Sequence, residues 1–391
     1  MKIKTNLNNL ENYKVYLQVM EACHEYFKGK GYLHMDLPVL STALIPESYL
    51  EIFETEFNFF KKRQKLYLTP SPELFLKRLL VEGIGDCYYL GRAFRNSEPN
   101  SNWHLPEFTM LEFYKVGVNY LEFADEVLEM LKYITTKCHS GKRSASRIVV
   151  KDNDSGQVLR QAQDIAGMTI TFQNKVISFE KWEKMSVTQA FEKYSGVSEK
   201  ELFDHRLFFK KAKDKGYNIG SVIPAKAVIQ SRQIDSRLRG NDKGGSGNDR
   251  ESPFTYEDIF TQIFAQEIEP NLGKNGFPTL LYDYPKELAS LAKMNKNGKT
   301  AQRCEFYING LEVGGFCTEL NDYQEQEKRF VAEAEKRKKL GLINHEIDKG
   351  FIDALKYGLP DCTGAGIGFE RLAMIFANVK SVSELRLINI E

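Results

Sequence analysis

The dipeptide Asn309-Gly310 stands between two apolar, alternating runs, Arg303–Ile308 and Leu311–Phe316. Two-residue loops of this composition close antiparallel strands, because both turn positions accept positive φ. The turn pairs Ile308 with Leu311 and Tyr307 with Glu312. Side chains alternate along a strand, so Glu305 shares the face of Tyr307. Glu305 and Glu312 are then diagonal neighbours, roughly 7–8 Å apart at the backbone. Two long carboxylates at that spacing can converge on one hard cation, and Mg2+ bridging to phosphate oxygens fits. Two solvated glutamates on an exposed face are the plainer alternative.

Other elements follow from pattern. Tyr16, Met20, Cys23 and Phe27 recur at helical spacing across Tyr13–Lys28, and Gly29 and Gly31 end the helix. GYLHMDLPVL predicts a strand ending at Pro38, and Lys65–Leu68 a short one. In SPELFLKRLL, Ser71 reads as an N-cap and Pro72 as the first helical position. Cys87–Phe94 and Phe108–Tyr114 read as long strands joined by a polar loop, and Tyr120–Thr136 as a helix. Lys184 to Thr188 imitates the start of a KMSKS loop but lacks its closing Lys-Ser, so Ser186 is read as a helix N-cap. Two stretches, about 140–167 and about 220–252, are rich in Gly, Ser, Asp and Arg without apolar periodicity. They read as inserted flexible segments and resemble translated mobile repeats. Their charges alternate in sign and they lack aromatics, which argues against an RNA-binding patch.

Composition narrows the class. Over 391 residues, 42% hydrophobic and 27% charged content is that of a soluble globular protein. A net charge of +1 gives no electrostatic case for nucleic acid as an obligate partner. No apolar run is long enough to span a bilayer, and MKIKTNLNNLENYK lacks a signal core, so no membrane is expected and the cytoplasm is the expected compartment. The six cysteines show no CxxC spacing and the six histidines no HExxH, which leaves no transition-metal motif.

Two separated stretches place an arginine beside strand-like residues. In Gly91–Tyr114, Arg95 lies where strand meets loop, with Glu107 and Glu112 on the returning strand. A guanidinium holds carboxylate or phosphate bidentately and stays charged, which suits charge developing on an α-phosphate. In Gly364–Phe376, Gly364, Gly366 and Gly368 alternate, which lets a flat ring approach the backbone, and Arg371 follows at a helix start. The stretch is neither a Walker A loop nor a dinucleotide fingerprint.

Together these stretches resemble the signature motifs of class II aminoacyl-tRNA synthetases: YLHMDLPVL motif 1, GRAFRNSE…HLPEFTMLEFY motif 2, GAGIGFERLAMIF motif 3. SPELFLKRLL, YDYPKELASLA, EFYINGLEVGGF and GLPDCTGAGIGFERL follow the order of the lysyl branch. Only about a dozen residues precede the first helix, where that branch has an anticodon-binding domain. This and PDC before the motif 3 glycines resemble the ligases that attach β-lysine to elongation factor P. The resemblance implies one α+β domain, a six- or seven-stranded antiparallel sheet flanked by helices, and a homodimer across motif 1. It implies activation of lysine or β-lysine by ATP with Mg2+, elongation factor P as acceptor, and tRNA as the less favoured one. Carried across residue by residue, Arg95 and Arg371 are the catalytic cations. Glu98, His104 and Phe108 join them around ATP. Glu73, Glu112, Tyr114 and Glu319 hold the amino acid, and Glu305 and Glu312 the metal. This chain departs at Arg95-Asn96-Ser97-Glu98, one residue longer than the family's loop, and at Trp103, Leu105 and Gly315. The resemblance also admits an amino-acid-activating enzyme with another acceptor, and a non-catalytic nucleotide-binding paralogue.

Overall fold

The computed structural model describes residues 2–96, 101–139, 168–217, 219 and 254–390. Both proposed insertions, and Glu98, lie outside the described residues. The framework comprises α1 (Leu10–Gly29), β1 (Leu33–His34), α2 (Glu73–Val81), β2 (Cys87–Phe94), β3 (Glu107–Val116), α3 (Tyr120–His139) and β4 (Glu183–Ser186). It continues with β5 (Thr279–Pro285), β6 (Thr300–Ile308), β7 (Leu311–Thr318), α4 (Tyr323–Lys339), α5 (Lys349–Lys356), β8 (Cys362–Gly368) and α6 (Phe369–Ala377).

The strands form one eight-stranded sheet in the order β4-β5-β6-β7-β8-β3-β2-β1. Its interior pairs are antiparallel, but both outermost pairs, β4 with β5 and β1 with β2, are parallel. The sheet is therefore wider than expected and mixed at its rims. Each rim strand reaches its partner through a long connection, which is what parallel pairing requires. The motif 1 strand also falls short of expectation. Only Leu33 and His34 form ladder pairs with Cys87 and Tyr88. The chain then leaves the sheet, and Leu40 and Ser41 pair instead with Leu68 and Tyr67. Pro38 between them cannot donate to a ladder.

Alternation gives the sheet two unlike faces. Leu111, Phe113, Phe306, Phe316, Ala365 and Ile367 pack beneath α1, α3 and α6 in the main core. Cys87, Tyr89, Tyr114 and Cys362 point the other way, against α2 and α5. On that second face the register aligns Glu112 with Gly366, Tyr114 with Gly364, and Cys317 with Gly364. A separate cluster around Phe191, Phe208, Ile259 and Phe260 packs on Met185, Leu281 and Tyr307.

Local chemistry explains the joints. The β6–β7 turn has Asn309 at φ 51° and Gly310 at φ 80°, the left-handed pair a two-residue hairpin needs. Ser186 caps its helix through a capping box with Gln189. At α2 the first helical residue is Glu73, one later than predicted, and Ser71 Oγ accepts from Glu73 N at 3.1 Å. Among the described residues no helix is long and apolar enough to cross a membrane.

Candidate active site

Arg95, His104, Phe108, Glu312, Gly314, Gly366, Gly368 and Arg371 line one cavity over β3, β7 and β8. The two arginines, 276 positions apart in the chain (371 − 95), thus meet in space. Arg95 follows β2, where its backbone N donates to Pro106 O at 2.9 Å. Its guanidinium lies 5.2 Å from the Phe108 ring centroid, a cation–π arrangement. Arg371 sits in the first turn of α6. It donates to His104 Nε2 (2.6 Å) and to the backbone oxygens of Trp103 and Glu312 (each 3.2 Å). Because Nε2 accepts, His104 carries its proton on Nδ1, which faces Ser101 Oγ at 2.9 Å. A Cβ built on Gly366 meets nothing within 4 Å, so this glycine floors open space.

Sequence reasoning missed the residue that joins the two walls. Glu370 is buried. Both its oxygens accept from Thr109 N (3.0 and 2.9 Å), and one accepts from Arg386 at 2.9 Å. The start of α6 is thereby fixed to β3, beside Phe108. An acid directly before Arg371, at a helix N-terminus, was the available signal.

The residues that the resemblance assigns to the amino acid lie beyond Gly366 along β8. Glu112 is buried, accepting from Ser71 Oγ (2.6 Å) and Tyr114 OH (2.9 Å). Burial, then repulsion from Glu73, pushes its carboxyl up to about 8, and the two hydroxyl bonds only partly oppose this. Glu319 is buried as well and is pushed up to about 7 by burial, with Lys77 pulling it down and Glu73 pushing it up. Lys77, 2% exposed, donates to Glu73 and lies 2.6 Å from Glu319 Oε2. Burial favours its neutral form, but the two carboxylates outweigh that and hold its ammonium above the ordinary lysine range. All four residues assigned to the amino acid, Glu73, Glu112, Tyr114 and Glu319, therefore belong to one cluster. Lys77 was not anticipated, since a lysine on a helix ordinarily reads as solvated. Its apolar neighbours Leu74, Leu76 and Leu80 are the clue.

The metal pair is placed differently. A bulge in β7 leaves Val313 unpaired: Glu312 lies opposite Tyr307, while Gly315 lies opposite Glu305. Both carboxylates share a face because Glu312 pairs with Tyr307 and Glu305 lies two residues from it on the same strand, while the bulge changes the partners only of the residues from Gly314 onward. Glu312 lines the cavity, 3.5 Å from Arg371 Nη1. Glu305 is not among the lining residues; it is held on the same face by Tyr284 OH (2.6 Å), Arg303 Nη2 (2.7 Å) and Tyr307 OH. No cluster of three or more His, Cys, Asp or Glu that could hold a metal alone occurs among the described residues. Two hard carboxylate donors on one face suit Mg2+, which usually completes its shell with phosphate and water.

Comparison with known proteins bears on the family. A family model described as tRNA synthetases class II (D, K and N) matches residues 1–388. A relative from Hamiltonella defensa, named elongation factor P–(R)-β-lysine ligase, is 29% identical over 377 residues, 95% of this chain and 93% of the relative. A protein of the same name from Buchnera aphidicola is 29% identical over 363 residues, 92% of this chain and 89% of the relative. With 388 of its 391 residues matched and motif 2 and motif 3 arginines lining a single cavity, the chain belongs to the class II tRNA synthetase family of the D, K and N branch.

Proposed function

We propose that the chain is an ATP-dependent ligase that activates lysine or β-lysine and transfers it to a lysine of elongation factor P. The observation that carries this reading is the juxtaposition of two subsites on one sheet face. A cavity lined by two arginines adjoins, through Gly366 opposite Glu112, a buried cluster of carboxylates. Three glutamates faced by one lysine leave two carboxylates without a cation when all are ionised. Two ammonium groups of a bound lysine or β-lysine match that deficit. The relatives' names point to the same acceptor.

The chemistry needs no enzyme nucleophile. A substrate carboxylate oxygen attacks the α-phosphorus of ATP, the bond to the bridging oxygen breaks, and pyrophosphate leaves. An acceptor amine then attacks the acyl carbon, AMP leaves, and the amine loses one proton. Arg95 neutralises charge on the carboxylate and α-phosphate, and Arg371 stacks on adenine and steadies the outer phosphates. His104 orients Arg371. Glu305 and Glu312 would hold Mg2+, which supplies charge neutralisation on the leaving phosphates when bound. The motif 1 resemblance, with the outer edge of β1 lacking a strand partner among the described residues, makes a homodimer the expected assembly. Six free cysteines and the lack of a spanning helix among the described residues support a reducing, cytoplasmic setting.

The test is amino-acid-dependent ATP–pyrophosphate exchange across a full amino-acid panel, followed by transfer of labelled lysine or β-lysine to elongation factor P or tRNA. Exchange with lysine or β-lysine and label on elongation factor P are expected. Arg95→Ala and Arg371→Ala should each lower exchange by about 100-fold or more while the fold is kept. Label on tRNA alone would transfer the reading to another acceptor, and a complete lack of exchange would leave a nucleotide-binding paralogue.

A further inference from the structure

A hairpin, Phe53–Phe59 paired with Lys62–Leu68, stands away from the body of the protein. Every residue from Glu54 to Lys65 is exposed. Its two faces are nevertheless unlike. On one, Glu54 and Glu56 face Lys65 and Arg63 across the strands at 2.8 and 3.9 Å, so charge there is matched. On the other, Thr55, Phe57 and Phe59 face Leu66, Gln64 and Lys62. Phe57 and Phe59 are 52% and 58% exposed and lie parallel, with centroids 6.4 Å apart. Such alternation belongs to a strand with one covered face, yet no described residue covers this one.

The tip adds a second observation. Phe60 opens the two-residue turn at φ 54° with 93% of its surface exposed. The left-handed region suits glycine or asparagine and is costly for a bulky side chain. Beside it Lys61 and Lys62 make no ion pair among the described residues. Three uncovered aromatic rings with two uncompensated ammonium groups form a compact apolar and cationic patch.

Position gives the patch its meaning. Both legs of the hairpin are tied to the residues flanking Arg95. Asn96 N donates to Glu51 O (2.9 Å), Asn96 Nδ2 to Ile52 O (3.1 Å), and Phe94 N to Thr69 O (3.0 Å). The hairpin is therefore anchored to the residues on either side of Arg95, at the edge of the cavity that the ligase reading assigns to the activated amino acid.

We infer that this hairpin is the docking finger for the acceptor protein: its phenylalanine face seats on an apolar patch of elongation factor P, and Lys61 and Lys62 meet acidic residues bordering the target lysine. The inference rests on the ligase reading above. A protein is favoured over a nucleic acid because the cations number only two and the other face is charge-balanced, whereas a backbone track needs a basic stripe.

The test uses the full chain with lysine or β-lysine, elongation factor P and tRNA. Two variants are compared with wild type: Phe57→Thr with Phe59→Thr, which keeps strand propensity, and Lys61→Glu with Lys62→Glu. Both should retain wild-type ATP–pyrophosphate exchange, which also reports an intact fold. In transfer, KM for elongation factor P should rise by about tenfold or more with kcat little changed, as loss of interface anchors predicts. Equal transfer by wild type and both variants would overturn the docking role alone. Wild type that exchanges but never labels elongation factor P would overturn the acceptor assignment and this inference with it. Selective loss of tRNA charging in the variants would overturn it in favour of an RNA contact.

Discussion

Glu112 is buried and accepts from Ser71 and Tyr114, and its proton, with that of Glu319, sets the charge of the cluster. A carboxyl raised to about 8 is largely neutral at pH 7, whereas an ammonium ligand binds its ionised form. Binding of lysine or β-lysine at neutral pH should therefore release a proton, and KM should fall as pH rises from about 6 to about 8.5. Exchange kinetics over that range, with calorimetry in buffers of different ionisation enthalpy, would check this. Glu112→Gln should raise KM and flatten its pH dependence. An unaltered profile would remove Glu112 from the pocket's titration. The same shift has a stability consequence. A carboxyl raised in the folded state stabilises the unliganded fold fully below the unfolded value of 4.5, and that contribution is lost as pH rises through about 8. At this scale Arg95 and Arg371 were legible because fixed charge beside strand ends has few innocent explanations. Lys77 and Glu370 were not, because burial by distant segments changes what a helical lysine or glutamate does.

Strand β8 shows how three glycines of one alternating row come to differ. At Gly364 a Cβ would fall inside the Tyr114 ring and against Glu319 Oε1, at Gly366 it would meet nothing, and at Gly368 it would touch the Arg371 side chain at 3.5 Å. Gly364→Ala should displace Tyr114, raise KM for the amino acid by about tenfold and cost about 1–3 kcal/mol of stability. Gly366→Ala should leave the urea midpoint unchanged and raise KM for ATP alone. Equal effects of the two substitutions on both substrates would contradict the division into subsites. The alternation itself was visible in the sequence; which glycine faces what depends on pairing with β3 and β7, and that is tertiary. The β6–β7 hairpin and the β2–β3 pair were legible because turn chemistry and apolar runs are local. The motif 1 strand was extended as far as Pro38 because Met35 and Leu37 continue the apolar alternation of Leu33, whereas ladder pairing stops at His34 and the chain beyond Pro38 pairs with Leu68 and Tyr67 instead.

On the scale of the molecule, the sheet ends at β1, whose outer edge has no strand partner among the described residues. Leu33 is 51% exposed there, beside a groove lined by Leu17, Met20, His24, His34 and Tyr88. Exposed edge strands invite pairing with another chain. Light scattering should therefore give the wild-type chain twice the mass of Leu33→Asp; a monomeric wild type would remove the dimer from the proposal. The parallel rims were beyond sequence reading because their crossovers span elements whose order says nothing of which edge they return to. The shared carboxylate of Glu370 has a last consequence. It ties the helix of Arg371 to the strand of Phe108, so the two walls of the proposed nucleotide cleft are joined through Thr109. Nucleotide should be gripped in a single step, and a truncated analogue lacking its outer phosphates should find the same walls already standing.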